Sequence, residues 1–281
     1  MGVSSLVIGT KNRIGSGCSG LLYHNVGPLH PGTNPALTIS PERFERQISW
    51  LAARGYISIR PSEWLRWSKE GVELPRRSVF LTFDDAYEDI AEHALPVLLR
   101  YGFSAAVYVV TGRLGATNTW DQSEGNGALR LMSANQIQHW AQKGIEFGAH
   151  SRTHPDLTRL TAPECLTEIA GSKSDLAAIL GLPVTSFAYP YGYYNDLACN
   201  LVRSAYDLAF SVEQGVNYLD GNPHLLRRTY VGPNDSLLEF AIKVRRGGIP
   251  VWLQEFRIKL AWRSRLRGTL RYLTDGGTHR S

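Results

Sequence analysis

Short apolar runs of strand type alternate with amphipathic stretches of helical spacing along most of this 281-residue chain. No other feature restricts the fold as much, because strands separated by helices of ten to twenty residues imply a parallel sheet, open or closed into a barrel. Strand-like runs fall at 20–24, 56–59, 78–83, 104–110, 145–149, 184–188, 208–211 and 225–231. Helical spacing predicts helices over 41–54, 88–100, 133–143, 162–180 and 196–204. Their ends carry helix signals: Ser40 and Ser133 as N-caps, Pro41 at a first helical position, Gly144 and Gly181 beyond C-termini. With 43% apolar and 20% charged residues the chain can bury a sizeable core without covalent staples.

Residues able to do chemistry gather where the apolar runs end. His24 closes the first, Asp84 and Asp85 the third, His150 the fifth, and Tyr189 to Gly192 the sixth. Barrel enzymes build their sites at the C-terminal ends of their strands, so this placement favours a barrel. Residues 114–129, rich in Gly, Asn and Thr, are the candidate for a long loop over such a site.

Paired acids often cap helices or lie on solvated turns, and two histidines four apart are often surface residues. Here the pairs sit behind Val79-Phe80-Leu81-Thr82-Phe83 and Ile145-Glu146-Phe147-Gly148-Ala149, where strands would display them. One carboxylate with two imidazoles can bind a divalent metal and leave the other carboxylate as a base. The zinc-protease helix has Glu directly after its first His; Ser151 in that position excludes it.

Thr82-Phe83-Asp84-Asp85 and His150-Ser151-Arg152-Thr153-His154 resemble the first two motifs of the polysaccharide deacetylases, the NodB-homology family (carbohydrate esterase family 4). Phe187-Ala188-Tyr189-Pro190-Tyr191-Gly192 resembles the third motif of one branch. Tyr23-His24-Asn25-Val26 resembles the N-terminal signature of that branch, which includes poly-N-acetylglucosamine and exopolysaccharide deacetylases. The resemblance spans residues 20–231 and its motifs are co-linear. It implies an α/β fold, a distorted (β/α) barrel, with one divalent metal, zinc first and cobalt, nickel or manganese after it. It implies Asp85, His150 and His154 as metal ligands, Asp84 as general base, and removal of N-acetyl groups from N-acetylhexosamines of the GlcNAc type, with release of acetate. Pro190 and Tyr191 would sit at the substrate, with the Tyr191 backbone N–H in the oxyanion site.

The chain departs from the family pattern in three places. Leu225-Leu226-Arg227-Arg228 stands where many members carry a histidine acid, so the branch resemblance points to His24 as the proton donor, with His224 second. Ala86 follows the aspartate pair where Gly is usual, which matters only if that backbone needs a positive φ. The Arg usual upstream of the third motif is missing, and Arg227 or Arg228 is expected to orient the base instead. Trp120, in the long loop, either stacks a sugar ring or packs the loop onto the barrel.

The net charge of +5 is concentrated in the tail: residues 243–271 hold nine Lys/Arg against Glu255, leaving the rest at −3. We therefore expect a deacetylase domain over 1–240 and a basic amphipathic helical extension over 241–281. Such an extension lies on an anionic membrane surface, packs on the barrel or on a second copy as a homodimer contact, or receives an acidic polymer. No nucleic-acid motif accompanies the charge, and nucleic acid is not an expected partner. Cys18, Cys165 and Cys199 form no CxxC pair and read as free thiols, and the N-terminal charges follow the apolar residues, the reverse of a secretory leader. Read as full length, the chain is expected in the cytoplasm, at most peripheral to the inner face of the membrane. The expected partner is an N-acetylated polysaccharide or its oligosaccharide precursor. The alternative is a catalytically silent glycan-binding or scaffold protein of a polysaccharide synthesis complex.

Overall fold

The run Ser78–Phe83 is buried at every position and lies at the centre of a nine-stranded sheet. The structure, a computed structural model, describes residues 17–29, 33–120 and 129–250. In chain order the elements begin with β1 (Cys18–Tyr23), β2 (Asn25–Val26), β3 (Thr38–Ile39), α1 (Pro41–Ala53), β4 (Ile57–Ser58) and α2 (Pro61–Glu70). They continue with β5 (Ser78–Phe83), α3 (Glu88–His93), α4 (Leu95–Arg100), β6 (Ala106–Val109), α5 (Ala134–Gln142) and β7 (Glu146–Ala149). Last come α6 (Ala162–Leu180), β8 (Ser186–Ala188), α7 (Asp196–Ala205), β9 (Leu208–Phe210), β10 (Val216–Asn217), β11 (Thr229–Tyr230) and α8 (Leu237–Arg246).

Strands β1, β5, β6, β7, β8 and β9 pair side by side and all parallel. The segment 226–231 then closes the ring. Leu226 bridges Phe210 of β9 in parallel, while Thr229 and Tyr230 pair with Leu21 and Leu22 of β1. The expected distorted (β/α) barrel is therefore present, its last strand reduced to two residues of the expected 225–231.

Side chains of a strand alternate between its two faces, and here the alternation sorts the core into two. Val79, Leu81 and Phe83 of β5 and Val107 and Val109 of β6 face the helices, in the larger cluster. Phe80, Tyr108, Leu208 and Phe210 belong to a second, inner cluster with Trp64 of α2, whose ring lies 5.3 Å from that of Phe80. Helix α2 thus plugs the end of the barrel opposite the strand C-termini. Gly148 of β7 leaves room for this filling, since a Cβ there would meet the Tyr108 ring at 2.4 Å.

One expectation needs correction. The helix expected over 88–100 is two helices, because Pro96, the second residue of α4, has no N–H to donate to the carbonyl four residues back, at Glu92, and its ring crowds that carbonyl. Helices α2 and α8 were not anticipated. The division at 240/241 falls inside α8, where Phe240 and Val244 both lie in the core and buried Lys243 pairs with Asp235. Residues 251–281, the remainder of the expected basic extension, lie outside the described residues. Among those described, no helix is long and apolar enough to cross a membrane.

Candidate active site

The alternation that sends Phe80 and Thr82 into the barrel sends Asp84 there too. Its backbone N–H donates to Tyr23 O at 3.0 Å and so extends the β1–β5 ladder by one residue. Arg228, wholly buried, enters from the closing segment and grips Asp84 with both guanidinium ends, Nη1 to Oδ1 at 2.6 Å and Nη2 to Oδ2 at 2.8 Å. Its Nε donates to Ser211 O, Nη1 also reaches Thr82 Oγ1, and the guanidinium lies over the rings of Tyr108 and Phe210. The planar fork is held on every side. Of the two arginines expected beside Asp84, Arg228 is the one that binds it; Arg227 lies 4.0 Å from Glu213 and is half exposed. Burial alone raises the Asp84 carboxyl, but the charge of Arg228, then His150, outweighs it and lowers the carboxyl to about 2.

Past Asp84 the chain leaves the strand through two left-handed residues, Asp85 at φ 71° and Ala86 at φ 54°. The backbone at Ala86 does need the conformation that glycine adopts at low cost, so the substitution is a strained one. The kink brings the Asp85 Oδ1 to 3.7 Å from His150 Nε2 and 3.3 Å from His154 Nε2. Ligand atoms of Asp85, His150 and His154 all lie within 4.8 Å of one another, and all three residues are buried.

His150 follows β7 and points inward. Its Nδ1 lies 2.7 Å from Ala188 O; a carbonyl only accepts, so Nδ1 carries the proton and the Nε2 lone pair faces Asp85. Burial, the largest influence on each ring, lowers His150 and takes His154 well below its usual range, so both imidazoles are neutral. Two neutral imidazoles and a carboxylate, desolvated and converging, fit a divalent cation of the zinc class.

The other expected residues surround this cluster. His24 follows β1 on the inward face, with a buried Nδ1 that has no hydrogen-bond partner among the described residues and a ring 6.0 Å from that of Tyr230. Burial lowers it to about 4, with Asp84 raising it and Arg228 and His150 lowering it further. Pro190 and Tyr191 form a 3-10 turn after β8, with Tyr191 at φ 57°, 43% exposed as a residue, and its ring 4.5 Å from that of His154. Trp120 stacks on the His154 ring, 4.4 Å away at an interplanar angle of 21°. The loop Trp is thus packed onto a site residue. His224 lies elsewhere: its Nε2 is 3.0 Å from Tyr206 O, in a 3-10 turn over α7.

Sequence reasoning missed Glu168 and Asp175 of α6, which bind the turn between the two histidines. Glu168 accepts from the N–H of Arg152 at 2.8 Å and of Thr153 at 2.9 Å, and from Thr153 Oγ at 2.7 Å. Their heptad spacing was the available signal, but acids on a helix read equally well as a solvated face.

Known proteins share both sequence and shape with this arrangement. Residues 71–206 match the family model described as polysaccharide deacetylase. A poly-beta-1,6-N-acetyl-D-glucosamine N-deacetylase of Staphylococcus aureus (strain MRSA252) is 27% identical over 216 residues, spanning 73% of this chain and 71% of the relative. The Streptococcus pyogenes deacetylase PplD, solved in complex with acetate, superposes with a TM-score of 0.70 at 26% identity, over 82% of this chain and 98% of that one. IcaB from Ammonifex degensii shares the fold, with a TM-score of 0.67 at 22% identity over 84% of this chain and 98% of its own.

Proposed function

We infer that this chain, which belongs among the polysaccharide deacetylases through its domain at residues 71–206, removes N-acetyl groups from GlcNAc-type residues of an exopolysaccharide or its precursor with the help of one divalent metal. That it is a hydrolase of the C–N bond of N-acetyl groups follows from the family. The metal and the glycan are the proposal. One observation carries it: a buried Asp85–His150–His154 cluster beside an aspartate that an arginine holds ionised.

A divalent ion bound by Asp85, His150 and His154 would supply a Lewis acid for the acetamide carbonyl and for a water beside it. Asp84 is the proton acceptor. Arg228 takes one lone pair on each of its oxygens, fixing the plane of the carboxylate while leaving the remaining lone pairs for a water. Strong pairing makes Asp84 a weak base at rest, so its contribution is position and charge beside the reacting water. Asp84 Oδ2 lies 3.9 Å from His150 Nε2, which places the base against the ligand cluster. His24, neutral at pH 7 and on the same inward face, is the proposed proton carrier to the departing amine, taking up a proton during turnover before donating it. The Tyr191 backbone, at the rim, is the proposed donor to the carbonyl oxygen, and the exposed ring of Tyr191 bounds the sugar.

The test is acetate release from β-1,6- and β-1,4-linked N-acetylglucosamine oligomers, by protein as purified, after chelation, and after zinc return. Release lost on chelation and regained with zinc is the expected result. Protein that holds zinc yet frees no acetate from either series, or from longer polymer, would overturn the reading in favour of a silent glycan-binding barrel.

A further inference from the structure

The second histidine is delivered by an awkward piece of backbone. Between His150 and His154 the chain turns through Ser151 at φ 62° and reaches His154 at φ 64°, both left-handed and neither glycine. Such conformations persist only where the surroundings over-determine them. Ser151 Oγ accepts from the His154 N–H at 3.0 Å, an internal brace. On one side, Thr111 N donates to Ser151 O at 3.2 Å and Gly112 N to Arg152 O at 2.8 Å. Gly112 is needed for that approach, since a Cβ there would meet Arg152 O at 2.6 Å.

On the other side lies α6. Both successive amides of the turn, Arg152 and Thr153, donate to one oxygen of Glu168, and the Thr153 hydroxyl donates to the other. Asp175 Oδ2 accepts from Arg152 Nε at 2.9 Å and from Thr111 Oγ1 at 2.9 Å, tying the two flanks together. Gly171 stands between them; a Cβ there would meet Arg152 Cδ at 2.6 Å. Residues 168, 171 and 175 are spaced by three and four, so they form one stripe down a single helix face. A mid-helix glycine and two acids on that stripe are accounted for together by a turn that must dock there.

We propose that the Glu168–Gly171–Asp175 stripe of α6 is a docking platform for the 151–153 turn, and that Glu168 is a positioning residue for the metal site, setting where His154 Nε2 stands relative to Asp85 and His150. This rests on the metal reading above. Glu168 binds the backbone amides and the Thr153 hydroxyl of the turn rather than the proposed ligand atoms, and acts through that turn.

The experiment measures zinc affinity by chelator competition, and the visible spectrum of the cobalt-loaded protein, for wild type, E168A, E168Q and S172A. Loss of an outer partner of a metal ligand typically weakens binding by about 10- to 100-fold, and E168A should fall in that range with an altered cobalt spectrum. E168Q keeps one carbonyl oxygen for the two amides and should recover most of the affinity. S172A removes the Ser172–Tyr206 hydroxyl contact on the same helix, loosening α6 without touching the turn, and should bind zinc as wild type does. Wild-type affinity and spectrum in E168A overturn the proposal, as does an equal loss in S172A, which would mean that helix stability alone is at work. Should E168A fail to fold, T153V deletes only the hydroxyl contact: a smaller loss supports the proposal, and unchanged affinity in both T153V and E168Q overturns it. A wild-type protein that binds no zinc fails a different claim, the metal reading itself.

Discussion

Arg228 and Asp84 are a buried pair in which neither partner can be removed alone without leaving an uncompensated charge. Taking one member of such a pair typically costs about 3–5 kcal/mol, and R228M should destabilise the chelated protein by that order in denaturant unfolding. The double variant D84N/R228M should regain part of the loss, since the stranded charge is gone; no recovery would mean the pair is not coupled as drawn. The pH dependence follows from the Asp84 carboxyl at about 2 in the fold. A carboxyl lowered on folding stabilises above its unfolded pKa and loses that contribution as pH falls toward the folded one. The advantage of wild type over R228M should therefore shrink on acidification from about pH 5 to about pH 2. For catalysis, D84N should keep its zinc and lose about 10²- to 10⁴-fold in acetate release, the usual worth of a positioned acid or base; near-wild-type turnover would remove Asp84 from its role. Much of this site was legible because strand-end carboxylates and imidazoles are few and their spacing is chemical. The φ values were not. Nothing in Asp85 or Ala86 as residue types announces a left-handed kink, and the stacking of Trp120 on His154 depends on how a loop folds back over 34 residues of chain.

Between elements, the short segment 226–231 does what a full strand would do elsewhere. It bonds β9 through Leu226 and β1 through Thr229 and Tyr230, and it carries Arg228 inward between those two contacts. Gly20 in β1 is the residue that permits it. A Cβ there would lie 2.5 Å from Arg227 O and 3.0 Å from Arg228 Cγ, and the first of these is backbone that cannot swing away. G20A should cost about 1–3 kcal/mol, the usual price of overpacking, visible as a lower melting temperature. Because the displaced segment aims Asp84 rather than the metal ligands, G20A should also lower kcat while zinc affinity holds; an equal fall in both would mean that the whole barrel mouth has moved. Elements with a strong period were readable from sequence: β5 and α6 fall where expected, to the residue. The closing segment was read as an ordinary strand because a single buried arginine, Arg228, breaks no periodicity rule. Helix α2 escaped notice for the opposite reason, since Trp64 and Trp67 among charges give no clear stripe until the barrel end that Trp64 plugs is known.

Over the whole molecule, two chain segments far apart in sequence converge on one cation-sized cluster and a third holds Asp84 beside it, so binding there should tie the barrel together. An alternating sequence implies a parallel sheet but not its closure, which here depends on long-range pairing between β9, the 226–231 segment and β1. The proposed ligands come from the ends of β5 and β7, adjacent to β6 on either side, and the proposed base, Asp84, is held from the closing segment. Ligand that binds only the folded state stabilises it by mass action, about 2.7 kcal/mol at a free concentration one hundred times the dissociation constant. For a chain of this size that corresponds to a rise of roughly 5–10 °C in melting temperature on adding zinc to chelated protein. H154A removes one ligand of three and should abolish most of the rise while the chelated variant still melts cooperatively. The pH sense is fixed by the two imidazoles, which burial holds below their ordinary range. The unfolded chain then takes up protons first, so below about pH 6.5 acidification favours unfolding, and protonation competes with the cation for the same nitrogens. The zinc-induced rise should accordingly be largest at neutral pH and shrink only below the range where free imidazoles titrate, as the buried pair takes up protons. A rise that is independent of pH, or that survives in H154A, would place the bound ion somewhere other than the Asp85–His150–His154 cluster.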